Sequence, residues 1–166
     1  MEANPAFEIF IGIVAPLGTD RKWFVDALEE KFKTRDYSIE KISVTHEVIN
    51  FIPNDCKATS YEYFVKMEAC NELRKKFSNG FLMGVIINQI KKLRKKGKRK
   101  VIYIIEQIKN VDEYNILSHV YGLNFLQISL FSNEKNRDDN LRARFKNDCV
   151  TNLSDYKFEP KKFDSK

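Results

Sequence analysis

The chain has 166 residues, 43% of them hydrophobic; this is one domain's worth with enough apolar side chain for a packed core, and it excludes both a disordered tail and a pair of large domains. The formal net charge is +6, yet eight of the 29 Lys and Arg residues lie in one decapeptide, KKLRKKGKRK at 91–100, and without that +8 the remainder carries −2, so the basic character is local. Three cysteines, Cys56, Cys70 and Cys149, stand at separations of 14 and 79, which fits neither a disulfide framework nor paired C-x-x-C zinc ligands and points to a reducing, cytoplasmic setting.

The apolar run at 10–17 follows Glu2 and Glu8 rather than a basic stretch, so it does not read as a secretory signal. The run at 80–87 falls far short of the roughly 20 residues that span a bilayer, and no membrane association is expected.

In chain order, FEIFIGIV at 7–14 is a short apolar run ending at APLGTD, the pattern of a buried strand followed by a turn. Phe24, Leu28 and Phe32 then recur every four residues and predict a helix, with Thr19 or Asp20 as its cap. YSIEKISV at 37–44 reads as a strand with imperfect alternation. Two longer helices follow, one through Met67, Leu73 and Phe77 and one through Leu82, Ile86, Ile90 and Leu93, separated by the turn cluster Ser78-Asn79-Gly80. The unbroken apolar run VIYII at 101–105 predicts a strand covered on both faces, as in a parallel sheet. A helix at 111–121, a strand at 125–131 and a helix over 134–148 complete the series. Strands alternating with helices predict a three-layer α/β domain over 1–155 with a mainly parallel sheet, followed by a polar tail or linker stump at 156–166.

In such a fold the loop after the first strand is the usual phosphate cradle, because backbone N–H groups and a helix N-terminus point into it. Here it is GIVAPLGTDRKW at 12–23. Aligned with the phosphate-loop pattern G-x-x-x-x-G-K-[ST], Ala15 takes the first glycine, Asp20 the second, Arg21 the lysine and Lys22 the hydroxyl that would bind Mg²⁺. Asp20 would repel phosphate, whereas Arg21 and Lys22 would attract it. A tight strand-to-helix turn with an exposed basic pair is the plain alternative.

The segments FIGIVAPLGTD, KMEACNELRKKFSNGFLMGVIINQIKKLRKK and VIYIIEQIKNVDEYNILSHVYGLNFLQISLFSNEKNRDDNLRARF together resemble the N-terminal nucleotide-kinase-like region of bacterial anti-phage deoxycytidylate (dCMP/dCTP) deaminases, over about residues 7–150. The resemblance implies a P-loop-kinase-like α/β domain in a setting of antiviral defence by deoxynucleotide depletion. Where that family's third strand ends in an acid followed by Arg, this chain has Glu106 and Lys109. The zinc half is missing: no H-x-E and no P-C-x-x-C occurs, so the chain corresponds to the kinase-like half alone or to a free-standing relative. No catalytic residue and no metal ligand is expected.

Under that resemblance the phosphate-binding candidates are Gly12, Gly18, Thr19, Arg21 and Lys22 of the loop, Glu106 at the end of the third strand, and Arg137, Arg142 and Arg144 as lid cations. Asn71 and Arg74 of CNELR correspond to a substrate helix, or else form a surface pair. The implied ligand is a nucleoside triphosphate, ATP or dCTP, and the implied partner a zinc deaminase domain or subunit. An active small-molecule kinase is the first alternative, with Arg21 replacing the loop lysine and Thr19 or Glu106 recruiting Mg²⁺. The second is a regulator that binds RNA or DNA through Lys91, Lys92, Arg94, Lys95, Lys96, Lys98, Arg99 and Lys100, a run equally readable as a solvated helix end. His46 and His119 are too isolated for catalysis and read as surface or structural residues.

Overall fold

The computed structural model describes residues 7–48 and 60–144, which place four strands and six α-helices. The order is β1 (Phe7–Val14), α1 (Lys22–Lys33), β2 (Ser38–Ser43), α2 (Val44–Val48), α3 (Ser60–Lys76), α4 (Phe81–Arg94), β3 (Lys100–Glu106), α5 (Val111–Tyr121), a 3₁₀ turn (Gly122–Asn124), β4 (Phe125–Ser129) and α6 (Glu134–Arg144). The tail at 156–166, the end of the last predicted helix, Cys56 and Cys149 lie outside the described residues. One element escaped the sequence: α2 is five residues long, too short to display a helical period.

All strand pairs are parallel and the sheet order is β2-β3-β1-β4. The two central strands are buried on both sides, which is why β3 reads as an apolar run rather than as an alternation. Within that run the period of two still sorts the side chains. Val101, Tyr103 and Ile105 join Phe10 in a core with Cys70 of α3, Leu82, Met83, Ile86 and Ile90 of α4, and Leu117 of α5. Ile102 and Ile104 join Ile11 and Ile13 in a second core closed by Val25, Phe24, Leu28 and Phe32 of α1. The molecule is therefore a three-layer α/β domain, with α1 on one face of the sheet and α3, α4 and α5 on the other.

That layering follows from the order of the strands. The β1-to-β2 crossover passes over β3 in one direction, while β2-to-β3 and β3-to-β4 run in the other. Crossovers of a single hand must then use opposite faces of the sheet. The consequence is a switch point between β1 and β3: the chain leaving β1 goes to one face and the chain leaving β3 goes to the other. Open parallel sheets bind ligands in the crevice such a divergence leaves at the carboxyl ends of the strands.

Glycine is required at one position in β1. A Cβ on Gly12 would stand 2.2 Å from Ile108 Cδ1 and 3.0 Å from the Phe125 ring, so the loop after β3 is packed directly onto the β1 backbone. None of the helices among the described residues is long and apolar enough to cross a membrane.

Candidate functional site

Two loops converge at the switch point. After β1, Pro16 O accepts the Thr19 amide at 3.2 Å, closing a four-residue turn whose third residue, Gly18, has φ +83°. That region favours glycine, and the packing demands it as well: a Cβ there would lie 2.5 Å from Arg137 O. Asn140 Nδ2 donates to Gly18 O at 2.9 Å, so α6 lies against the turn. The N-cap of α1 is Arg21, which makes no side-chain cap bond, so neither predicted cap holds that position; Asp20, one residue earlier, accepts the amide of Lys22, the first helical residue, at 2.9 Å.

After β3 the backbone turns through Gln107 at φ +73°, an uncommon conformation for a residue with a side chain. The Ile108 amide donates to Ile13 O at 3.0 Å, which ties this loop to the end of β1. The Lys109 amide is taken by Glu113 Oε2 at 2.7 Å, while Asn110 Oδ1 caps α5 by accepting the Glu113 amide at 2.9 Å. Glu113 is fully buried, and its other oxygen accepts from Arg74 Nε at 2.9 Å and is ion-paired with Nη2 at 2.8 Å; Arg74 Nη1 in turn donates to Asn71 Oδ1 at 3.2 Å.

Between the loops lies a cavity of about 440 Å³, within the roughly 300–1,000 Å³ of small-ligand sites. Ala15 to Lys22 form one wall, Glu106, Gln107 and Lys109 another, and Asn140, Leu141 and Arg144 of α6 a third. Five cations border it, Arg21, Lys22, Lys41, Lys109 and Arg144, against the carboxylates of Asp20, Asp26 and Glu106. Lys22 is held by Asp26, and Lys41 Nζ pairs with Glu29 Oε1 at 2.8 Å. The Lys109 ammonium makes no hydrogen bond or ion pair among the described residues; burial first, then the charges of Arg21 and Arg74, push its pKa below the usual lysine range.

Arg21 faces Glu106 with Nη1 3.7 Å from Oε2, too long for a hydrogen bond. Its Nη1 and the hydroxyl of Thr19 are buried without any hydrogen-bond partner. Buried polar atoms are nearly always satisfied, and each one left over costs about 1–3 kcal/mol. Two such atoms, a hydroxyl and a guanidinium nitrogen, in residues that border the same cationic cavity, are matched by an anion with several acceptor oxygens. A phosphate group has that donor requirement, and the cavity has room for more than one.

The structure brings Gly18, Thr19, Arg21, Lys22, Glu106 and Arg144 together around this cavity. Lys22 sits at its rim, 81% exposed with its ammonium on Asp26. Gly12 lies within β1, under the Ile108 side chain. Arg137 meets the Gly18 turn through its backbone and leaves its own Nε buried and unpaired, without bordering the cavity, and Arg142 is exposed on α6 away from it. Arg74 is engaged with Glu113 and Asn71 with Arg74, and the pair reaches the site only through the Lys109 backbone. Lys41, Gln107, Lys109 and Asn140 were not selected from the sequence. A loop residue with positive φ and an amide bonding across to a glycine carbonyl leave no spacing signature, although Lys109, three residues beyond Glu106, was within reach.

The basic run is divided in use. Arg94 forms a two-pronged pair with Glu8, at 2.8 and 2.6 Å, and lies over the rings of Phe10 and Tyr121; this raises its pKa, the Glu8 hydrogen bond being the main cause. Lys98 pairs with Glu40 at 2.6 Å and Lys100 lies over Tyr37. Lys91, Lys92, Lys95, Lys96 and Arg99 are exposed and unpaired among the described residues. His46 is 79% exposed and His119 is exposed on α5. Among the described residues no group of three or more His, Cys, Asp or Glu side chains is placed to hold a metal ion.

No family model and no curated protein matches the chain. Among solved structures it is similar to a chain of the Pnkp1/Rnl/Hen1 complex, with 12% identity and a TM-score of 0.38 over all of this chain and 46% of that one, so it spans under half the length of that neighbour.

Proposed function

We propose that this protein is a nucleotide-binding regulatory module that holds the phosphates of a nucleoside triphosphate, ATP or dCTP, between the loops after β1 and β3 and does not itself transfer them. The observation that carries the reading is the pair of buried donors without a hydrogen-bond acceptor, Thr19 Oγ1 and Arg21 Nη1, on a cationic cavity at the switch point of a parallel sheet. Arg21 and Lys109 are the principal phosphate contacts, and Glu106 keeps Arg21 oriented while the site is empty. Lys22 aligns with the metal-binding hydroxyl of a phosphate loop, but its ammonium is held by Asp26, so the positive charge that stands in for an ion comes from Arg21 and Lys109.

The three segments quoted above support a relation to the kinase-like regions of anti-phage deoxycytidylate deaminases. On that reading the module's partner is a zinc deaminase domain or subunit, and nucleotide occupancy here regulates it.

Calorimetric titration with dCTP and with ATP, each in Mg²⁺ and in EDTA, tests the proposal. Binding is expected in both media without hydrolysis. Arg21→Ala is expected to remove a charge-assisted contact of about 1.5–3 kcal/mol, a loss of roughly tenfold or more. Affinity that collapses in EDTA together with turnover of ATP would refute it and install the active kinase in its place.

A further inference from the structure

A second cleft, of about 750 Å³, adjoins the cationic cavity: Thr19, Asp20 and Asn140 border both. Its chemistry is different. No lysine or arginine lines it, its two charged residues are Asp20 and Asp139, and Trp23 and Phe131 border it with 60% and 90% of their surfaces exposed. Exposing two large aromatic side chains on one cleft forgoes the burial that such residues ordinarily gain. The remaining wall includes Leu130 together with Ser129, Ser132 and Asn136, which offer hydroxyl and amide groups.

We infer that this cleft is the base and sugar subsite of the nucleotide whose phosphates occupy the neighbouring cavity, with the nucleobase stacked on Trp23 or Phe131. The inference rests on the phosphate reading above and adds the location of the rest of the ligand. The partition of charge sets the direction: a polyphosphate is drawn to the compartment bordered by Arg21 and Lys109 and repelled by the one carrying Asp20 and Asp139. A neutral base has no such penalty there, and every base presents a π-face to an exposed aromatic ring. Thr19 and Asn140, shared by both compartments, lie where a ligand would pass from one to the other. The cleft beside α5, bordered by Val111, Tyr114 and Leu126, shares only Lys109 with the phosphate cavity, so fewer residues link it to the phosphates.

Trp23 is the chain's single tryptophan, so its fluorescence reads this cleft directly. The full chain is titrated with dCTP, ATP and inorganic tripolyphosphate, following Trp23 emission and, in parallel, heat. At least one nucleotide is expected to change the Trp23 emission and to bind about tenfold tighter than tripolyphosphate, the size of one base–aromatic stack. Phe131→Ala and Trp23→Leu, the latter followed by heat alone, are expected to weaken nucleotide binding while leaving tripolyphosphate unchanged. The second result also shows that the variants remain folded at the neighbouring site. Equal affinities for nucleotide and tripolyphosphate would overturn the subsite and leave the phosphate site standing. Loss of the nucleotide's advantage in Tyr114→Ala, with Phe131→Ala and Trp23→Leu silent, would move the base to the cleft beside α5 and overturn it too. If tripolyphosphate and nucleotides all fail to bind, the phosphate reading itself falls, and this inference with it.

Discussion

Replacing Arg74 by Met should test whether the site is held up from behind by a buried ion pair. Arg74 is 13% exposed and Glu113 not at all; the guanidinium gives Glu113 Oε1 one hydrogen bond from Nε and an ion-pair contact from Nη2, and Oε2 takes the Lys109 amide. Methionine fills much of the arginine stem's volume, so the main effect is electrostatic: a buried carboxylate loses its counter-charge and keeps only the Lys109 backbone donor. Removing one member of a buried pair costs about 3–5 kcal/mol. For a chain of this length that corresponds to a melting temperature lower by roughly 6–20 °C. Urea denaturation followed by far-ultraviolet circular dichroism should show a shifted midpoint with little change in slope. Arg74→Met combined with Glu113→Gln should recover part of the loss, because the amide oxygen still accepts from Lys109 and no charge is left stranded. A cost under about 1 kcal/mol for Arg74→Met would refute the assignment. If stability were kept and only nucleotide affinity lost, Arg74 would be a ligand contact and the substrate-helix reading would hold.

Further outcomes follow from the cations. Nucleotide affinity should fall as pH rises through the lowered pKa of Lys109, because only the ammonium form attracts phosphate; binding, which favours the charged form, should take up protons, measurable by calorimetry in buffers of differing ionisation enthalpy, and Lys109→Met should abolish both effects. Replacing Lys91, Lys92, Lys95 and Lys96 with Gln should flatten the salt dependence of any RNA or DNA binding in a filter assay and weaken all sequences alike. Arg94→Gln should instead lower the urea midpoint, since its guanidinium serves Glu8 rather than a polyanion.

The fold was legible because its strongest signals are periodic. The continuous apolar run of β3 and the four-residue recurrence of Phe24, Leu28 and Phe32 each fix an element and the face it buries, and together they give a parallel three-layer domain. The position of the site was legible for the same reason, since the loop after a first parallel strand lies at the carboxyl edge wherever the chain goes next. Its membership was legible only in part, through Gly18, Thr19, Arg21, Lys22, Glu106 and Arg144. Gln107, Lys109 and Asn140 reach the cavity through a positive φ, through a backbone amide caught by a buried carboxylate, and through a helix that begins more than a hundred residues after Gly18. Arg74 shows the converse: three residues from Asn71 on one helix, it suggests a recognition pair in the sequence, but only the tertiary structure supplies Glu113, 39 residues away, and turns it into a buried support.

Asp20 is where the sequence and the structure give the same residue two tasks, and it separates them experimentally. Read as a phosphate loop, Asp20 takes a glycine's position and repels the ligand. In the fold its carboxylate, one residue before the N-cap Arg21, accepts the Lys22 amide at 2.9 Å and so satisfies the first N–H of α1. Asp20→Gly confounds the two, since it removes the charge and the acceptor of the Lys22 amide together and loosens the backbone beside Gly18. Asp20→Asn keeps an oxygen in place for the Lys22 amide and removes only the charge; the site is exposed, so stability should move by no more than about 0.5 kcal/mol. Affinity for tripolyphosphate should rise by about 1 kcal/mol, the size of one like-charge contact at several ångströms in an effective dielectric well above 20. The gain should shrink at high salt, because the residue is exposed and its charge is screened over about 10 Å at 0.1 M. Unchanged affinity at low salt would mean that bound phosphate lies out of reach of Asp20 and therefore not in the turn between Pro16 and Arg21. In that event the unpartnered Thr19 hydroxyl would have to be explained without a phosphate.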